Sequence, residues 1–217
     1  MHTNPITFYA GDSILYAQPL KKAQFEYNPS EKILIGSGYV DNDERLIQEP
    51  FDFTLKNKFA LTDQHEMLKQ IMFPQDSNWN LTTENYMLLY RYMSQRPSES
   101  RYPDYSKDSI PDAYCKFLMF GATDKIPQNM RIFNKIGQAY GFLTDNAYII
   151  DFVNNIEFLL SATILVNDNE IYNDGLYEYD SLGFPFMRNL GRAIYEYELG
   201  RRTAIKPNLS RFKINYK

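Results

Sequence analysis

Apolar and polar positions change their period twice along the chain. Up to about residue 60 they alternate in short runs: Ile6-Thr7-Phe8-Tyr9 and Ile14-Leu15-Tyr16 around Gly11-Asp12-Ser13, then 32–40 and Phe51-Asp52-Phe53-Thr54. Such runs, set between turn-prone segments such as Asn28-Pro29-Ser30 and Asp41-Asn42-Asp43-Glu44, predict strands, the first two joined as a hairpin. From 61 to 122 the spacing becomes helical. Met67, Leu68, Ile71 and Met72 follow a Thr62 cap and precede Pro74, and Met87, Leu88, Tyr90 and Tyr92 follow a cap at Thr82 or Thr83. A third helix is predicted from Pro111 to Gly121, and the Pro- and Ser-rich stretch 96–107 reads as a loop. Beyond 130 the pattern returns to strands, at 132–137, 147–153 and 156–164. Asn154-Asn155 suits a two-residue type I′ turn, which sets Val153 opposite Ile156 and Asp151 opposite Phe158. A last helix spans 185–199, with Phe186, Leu190, Ile194 and Tyr197 on one face and Gly200 as its stop. This order predicts an α+β fold, an antiparallel sheet with flanking helices, in one domain over 1–217. Within it, 1–60 is strand-rich, 61–122 helical, and 130–217 a strand, hairpin and helix unit.

Composition narrows the class. At 217 residues with 44% apolar content the chain can bury a core, and 23% charged residues is an ordinary globular balance. No apolar run approaches the roughly 18–20 residues of a membrane span, and Met1-His2-Thr3-Asn4-Pro5 is not the start of a signal peptide. Net charge is −4 and the 23 basic residues are dispersed. A nucleic-acid surface is therefore not expected, the basic tail from Arg201 to Lys217 being a solvated charge run. The unusual feature is aromatic content: 16%, with 18 Tyr and 15 Phe against a single Trp.

Few residues offer chemistry on their own. Cys115 is the only cysteine, so no internal disulfide and no thiolate cluster can form, and it reads as a small buried side chain in an apolar stretch. His65 has no second histidine four residues on, which excludes the metalloprotease pattern, and a Ser-His-Asp triad would have to use it. A helix-surface role is its default. Gly36-Ser37-Gly38 lacks the third glycine and following helix of a phosphate loop. Asp168-Asn169-Glu170 with Asn173-Asp174 is oxygen-rich but lacks the glycine and terminal Glu of an EF-hand loop. No cofactor and no metal is expected.

The segment Arg131-Ile132-Phe133-Asn134-Lys135-Ile136-Gly137-Gln138 is more informative. A strand lysine followed at two residues by glycine places a cation beside a position where a substrate can approach the backbone, and the next free N–H can face a developing oxyanion. Lys-x-Gly alone is common, and taken by itself it is better explained by an edge-strand lysine with a packing glycine. Its context is Gly141-Phe142-Leu143-Thr144-Asp145, an aromatic-aliphatic strand at 148–152, a second at 156–167, Asn173-Asp174, Gly183-Phe184-Pro185-Phe186 and a terminal helix. In this order the sequence resembles the C-terminal part of β-lactamase-like serine hydrolases, the class A β-lactamase and penicillin-binding protein superfamily, in its Bacteroidetes-type branch. The resemblance is good over 131–216, plausible over 51–121 and loose before that.

The resemblance implies a partial β-lactamase/transpeptidase-like fold and an acyl-serine mechanism. Lys135 would attract a substrate carboxylate, Gly137 would be the close-approach glycine, and the Gln138 N–H would be half of the oxyanion hole. Two departures matter. Ile136 stands where a hydroxyl residue is usual, which argues against penicillin-like substrates. Ser-x-x-Lys occurs only at Ser210-Arg211-Phe212-Lys213, after the last helix, and Ser-x-Asn does not occur. The expectation is thus the C-terminal portion of a serine hydrolase whose nucleophile lies in a missing N-terminal half. The parent would act on a small-molecule or peptide-like acyl substrate and be exported to the periplasm or cell envelope, while this chain alone is inactive. The alternative is a non-catalytic binding module using an aromatic surface around Tyr172, Tyr177, Tyr179, Tyr195 and Tyr197.

Overall fold

The computed structural model describes residues 2–24, 28–105, 107–201 and 206–216. Its centre is a three-stranded antiparallel sheet in the order β11-β10-β9, formed by β9 (Met130–Ala139), β10 (Phe142–Asp151) and β11 (Ile156–Leu165). Two helices, α1 (Leu61–Met72) and α2 (Thr83–Ser94), lie on one face, and α3 (Phe184–Gly200) contacts β11 from the other. The N-terminal part is a set of short strands: β1 (His2–Thr3) with β4 (Lys21–Lys22), β2 (Thr7–Ala10) with β3 (Ser13–Ala17), and β5 (Leu34–Ile35) with β8 (Phe51–Asp52). A further small sheet joins β6 (Gly38–Val40) to β7 (Leu46–Ile47) and to β12 (Ile171–Tyr172). The architecture is α+β, with the antiparallel sheet and flanking helices that the period changes predict.

Strict alternation along β10 divides the core into two layers. Leu143, Ala147 and Ile149 pack with Phe117, Leu118, Met119, Phe120 and Met187 on the α3 side. Tyr148 and Ile150 pack with Phe133, Leu68, Met72, Tyr90 and Phe212 on the side of α1 and α2. The C-terminal tail, read as a solvated basic run, instead closes this second layer. Leu209, Phe212 and Tyr216 are buried, and Arg211 donates to the carbonyl of Met72 at the end of α1. Residues 202–205 and 217 of that run lie outside the described residues.

Several local expectations are corrected. The segment 111–124 is a series of turns rather than a helix. Its backbone is held by tertiary partners: the N–H groups of Phe117 and Leu118 donate to the Asp145 carboxylate, and the Cys115 carbonyl accepts from Asn134. Met119 at φ 72° breaks any helical continuation and brings its backbone N within 2.3 Å of where a Cβ on Gly191 of α3 would lie, so only glycine fits there. Cys115 is exposed, not buried.

The β10–β11 turn contains four residues, pairing Asp151 with Ile156 and Ile149 with Phe158. The Asp151 carboxylate accepts the N–H groups of Val153 and Asn154 and widens the loop. The tight two-residue turn is at Tyr140-Gly141, with φ 55° and 79°. Thr82 caps α2 through a reciprocal pair with Asn85, while Ala60 rather than Thr62 precedes α1 and makes no side-chain cap. In α3, Met187 and Gly191 are buried while Phe186 and Tyr197 face solvent, because the inner face is set by the close approach to Met119.

Candidate functional site

Lys135, Gly137 and Gln138 lie on β9, an edge strand of the central sheet. The turn at Tyr140-Gly141 makes Ala139 and Phe142 the closing pair of the hairpin. In such a hairpin that pair exchanges hydrogen bonds, and the pattern then alternates along the strands. Gly137 opposite Thr144 and Lys135 opposite Asn146 are therefore bonded pairs. The N–H and C=O groups of Ile136 and Gln138 point away from β10. Two contacts on carbonyls of the same parity agree: Lys135 Nζ donates to the Ile136 oxygen at 2.7 Å, and Arg96 Nη2 donates to the Met130 oxygen at 2.9 Å.

The result is an open strand edge carrying an exposed ammonium and an outward N–H. Among the described residues no carboxylate lies within ion-pair distance of Lys135. Gly137 is exposed, and a Cβ there would meet only Thr144 Cβ at 3.7 Å, an ordinary contact. Packing inside the fold therefore does not require glycine at 137. Ile136 is half-buried against the α3-side core and presents no hydroxyl to the edge. The three residues share one exposed edge, and they line neither the groove beside Asn155 and Arg201 nor the one beside Phe51 and Tyr140.

Behind this edge, β10 presents two polar groups to opposite faces. Asp145, fully buried, accepts the N–H groups of Phe117 at 3.0 Å and Leu118 at 2.9 Å on one oxygen and Asn134 Nδ2 at 2.8 Å on the other. Asn134 passes the contact on, its Oδ1 accepting from the buried Lys116 ammonium, which also donates to the Met93 carbonyl at 2.8 Å. Burial pushes the Lys116 ammonium down to about 8, against the pull of Asp145. Burial likewise raises the Asp145 carboxyl to about 6, although its N–H donors and Lys116 oppose the shift. Each group is drawn towards its neutral form, so desolvation outweighs their mutual attraction.

On the other face, Asn146 Nδ2 donates to the Gln64 carbonyl at 2.7 Å, which leaves its Oδ1 towards Ser161. An amide oxygen can only accept, so the Ser161 hydroxyl donates to it. Ser161 Oγ then takes the His65 Nδ1 contact, at 2.7 Å, as an acceptor. The order of donors places a proton on His65 Nδ1. Ser161 and His65 thus meet as a triad would require, but the serine proton is committed to Asn146 and not to the imidazole. The pairing of His65 with a serine 96 positions away has no signal in the sequence.

The polar residues inside apolar runs (Lys116 in Ala113-Tyr114-Cys115-Lys116-Phe117-Leu118, Asp145 in its strand) were the available signal for the buried cluster. The oxygen-rich loop uses its own side chains: Asn169 bonds the Ile171 N–H and Asp174, and Asp174 bonds the Leu176 N–H. No group of three or more metal-ligating side chains occurs among the described residues. Likewise, no described helix is long and apolar enough to cross a membrane. Of the five tyrosines in the aromatic-surface reading, Tyr172 is buried. Tyr179 accepts from the Gly141 N–H, Tyr177 accepts from the Asn173 N–H, Tyr195 donates to Asp151, and only Tyr197 is exposed. Comparison with known protein families, curated proteins and solved structures found no match to this chain.

Proposed function

We propose that the chain is the C-terminal portion of a β-lactamase-like serine hydrolase, acting through an acyl-serine whose nucleophile lies outside this sequence. The observation that carries this reading is the β9 edge, where the Gln138 N–H points away from the sheet beside an exposed Lys135 and a glycine that the fold's own packing does not demand. A substrate lying along that edge would place its acyl carbonyl oxygen on the Gln138 N–H. The attacking serine oxygen gives its proton to the lysine of its own Ser-x-x-Lys as it bonds to the carbonyl carbon, and the negative charge that develops on the carbonyl oxygen is held by the Gln138 N–H. Collapse of the adduct expels the leaving group, which takes the proton from that lysine, and water, deprotonated by the same amine, then releases the acyl group and returns the serine hydroxyl.

Lys135 would draw in a substrate carboxylate as a point charge. With Ile136 in place of a hydroxyl residue, that carboxylate has no side-chain hydroxyl on the strand, so simple acyl esters and peptides fit better than penicillin-like rings. Ser161 is unsuited to the nucleophile's role because its proton goes to Asn146. The parent would be an exported enzyme of the cell envelope.

The test uses a serine-reactive fluorophosphonate probe. The present chain should remain unlabelled. The longer gene product should carry a Ser-x-x-Lys upstream, be labelled at that serine, and lose most labelling with Lys135→Ala. Stoichiometric labelling of this chain at Ser161, or an upstream reading frame without Ser-x-x-Lys, overturns the proposal.

A further inference from the structure

The turn that closes β9 also borders a groove. Tyr140 lies 5.7 Å from the Phe51 ring and 5.4 Å from Phe53, and Tyr39 lies 5.1 Å from Phe51. Phe51 in turn stacks on the buried Tyr172 at 5.9 Å, which fixes this floor to the rest of the fold. Beside the rings is an open groove of about 470 Å³, with Asn42 and Asn173 among its lining residues. That is within the range of small-molecule sites, about 300–1,000 Å³.

Lys56 is the only cation lining the groove among the described residues. Its ammonium sits 5.3 Å from the Phe51 ring centre and 5.1 Å from that of Tyr140, and donates to the Tyr140 hydroxyl at 2.8 Å. The Phe51 ring and the Tyr140 hydroxyl hold the charge beside the aromatic cluster. An ammonium has three donors, and the Tyr140 hydroxyl uses one. No described carboxylate lies within ion-pair distance of Lys56. Asp41, the acid lining the groove, is engaged with its own loop: one oxygen accepts the N–H groups of Asp43 and Arg45, and the other accepts Arg45 Nε at 3.2 Å, a guanidinium it shares with Asp43. In a chain of net charge −4, Lys56 is thus a cation with donors to spare beside an aromatic floor of mutually tilted rings.

We propose that the groove binds a small organic carboxylate with a flat apolar body, of the aryl carboxylate class. The carboxylate would sit on Lys56 Nζ and the ring on Tyr39, Phe51 and Tyr140. This site is independent of the hydrolase reading, since binding here needs no nucleophile.

The experiment is calorimetric and NMR titration of the intact chain with benzoate and phenylacetate, with acetate and benzyl alcohol as probes that each lack one half of the ligand. Saturable binding of the aryl carboxylates is expected, with resonance shifts at Tyr39, Phe51 and Tyr140. Lys56→Met should weaken it about tenfold or more, the value of a charge-assisted hydrogen bond. Lys56→Arg, which keeps the charge, should stay within a few-fold. Lys56 is exposed, so circular dichroism should show both variants folded. The proposal is overturned if no aryl carboxylate binds at millimolar concentration, if Lys56→Met leaves affinity unchanged, or if acetate or benzyl alcohol binds as well as benzoate.

Discussion

Asp145 and Asn146 are adjacent in sequence, both almost fully buried, and face opposite sides of one strand. On the α3 side the polar cluster is ionic and holds an irregular segment, 112–118, through that segment's own backbone. On the α1 side it is neutral and joins a regular helix to the sheet through one amide, one hydroxyl and one imidazole. Irregular backbone leaves N–H groups without ladder partners, and a buried carboxylate can accept several of them at once. A helix satisfies its own interior, so a neutral relay suffices to dock it. The charge on Asp145 is therefore explained by the turns it supports, although burying it is unfavourable in itself.

The largest test of this contrast is to remove one partner of the ionic cluster. Asp145→Ala strips two backbone donors and Asn134 of their acceptor and leaves Lys116 buried between neutral oxygens. A loss of about 3–5 kcal/mol is expected in urea unfolding. Lys116→Met should cost less, about 1–3 kcal/mol, because Asp145 keeps its three N–H donors. Equal losses, or a smaller one for Asp145→Ala, would break the argument that the carboxylate is the organising group.

The same cluster sets a pH signature. The folded Lys116 value, about 8, lies below its ordinary 10.5, so the unfolded chain binds that proton more tightly and this group adds stability as pH rises from about 8 to 10.5. Asp145, raised to about 6 from 3.8, has the opposite sign, adding stability as pH falls from about 6 to 3.8. The cluster therefore contributes least between about pH 6 and 8. Urea midpoints measured across the alkaline range should show wild type gaining on Lys116→Met, with the difference levelling above the ordinary lysine value. Asp151 differs from both: burial opposes its charge, yet hydrogen bonds from Tyr195, Asn154 and Asn129 hold its carboxyl at about 2, so it stays ionised throughout that window.

The neutral face should respond least. Ser161→Ala leaves Asn146 Oδ1 and the His65 Nδ1–H unpaired at a half-buried position, which costs about 1–2 kcal/mol. Its sharper readout is ¹⁵N NMR of the imidazole. Wild type should show the proton on Nδ1, and the variant should shift the population towards Nε2–H. An Nε2–H tautomer in wild type would reverse the order of donors and put the serine proton back on the imidazole.

How much of this could be read from the sequence depends on how local each determinant is. A cap at Thr82 or Thr83, the stop of α1 ahead of Pro74 and the cores of β9 and β10 were legible, since each rests on residues within a few positions, whereas the tight turn at Tyr140-Gly141 and the first half of β10 were not. The β10–β11 register was not, because Asp151 folds back onto the N–H groups of the turn and pairs with Ile156 instead of Phe158. Helix at 111–121 was a reasonable expectation from apolar spacing. It failed because Asp145, more than twenty residues later, takes the N–H groups a helix would have used.

Of the candidate site, the identity and order of Lys135, Gly137 and Gln138 were legible, whereas their placement on an unpaired edge depends on which strand lies outermost. The sequence by itself determined the α+β order, the antiparallel strands and the position of the Lys-x-Gly element, because periodicity and turn chemistry act over a few residues. Only the tertiary structure decided that the N–H after Gly137 faces outward, that His65 meets Ser161, and that Lys56 is held over an aromatic floor. Those outcomes come from strand parity and long-range contacts, where the energy of burying a polar group selects its partner regardless of distance along the chain.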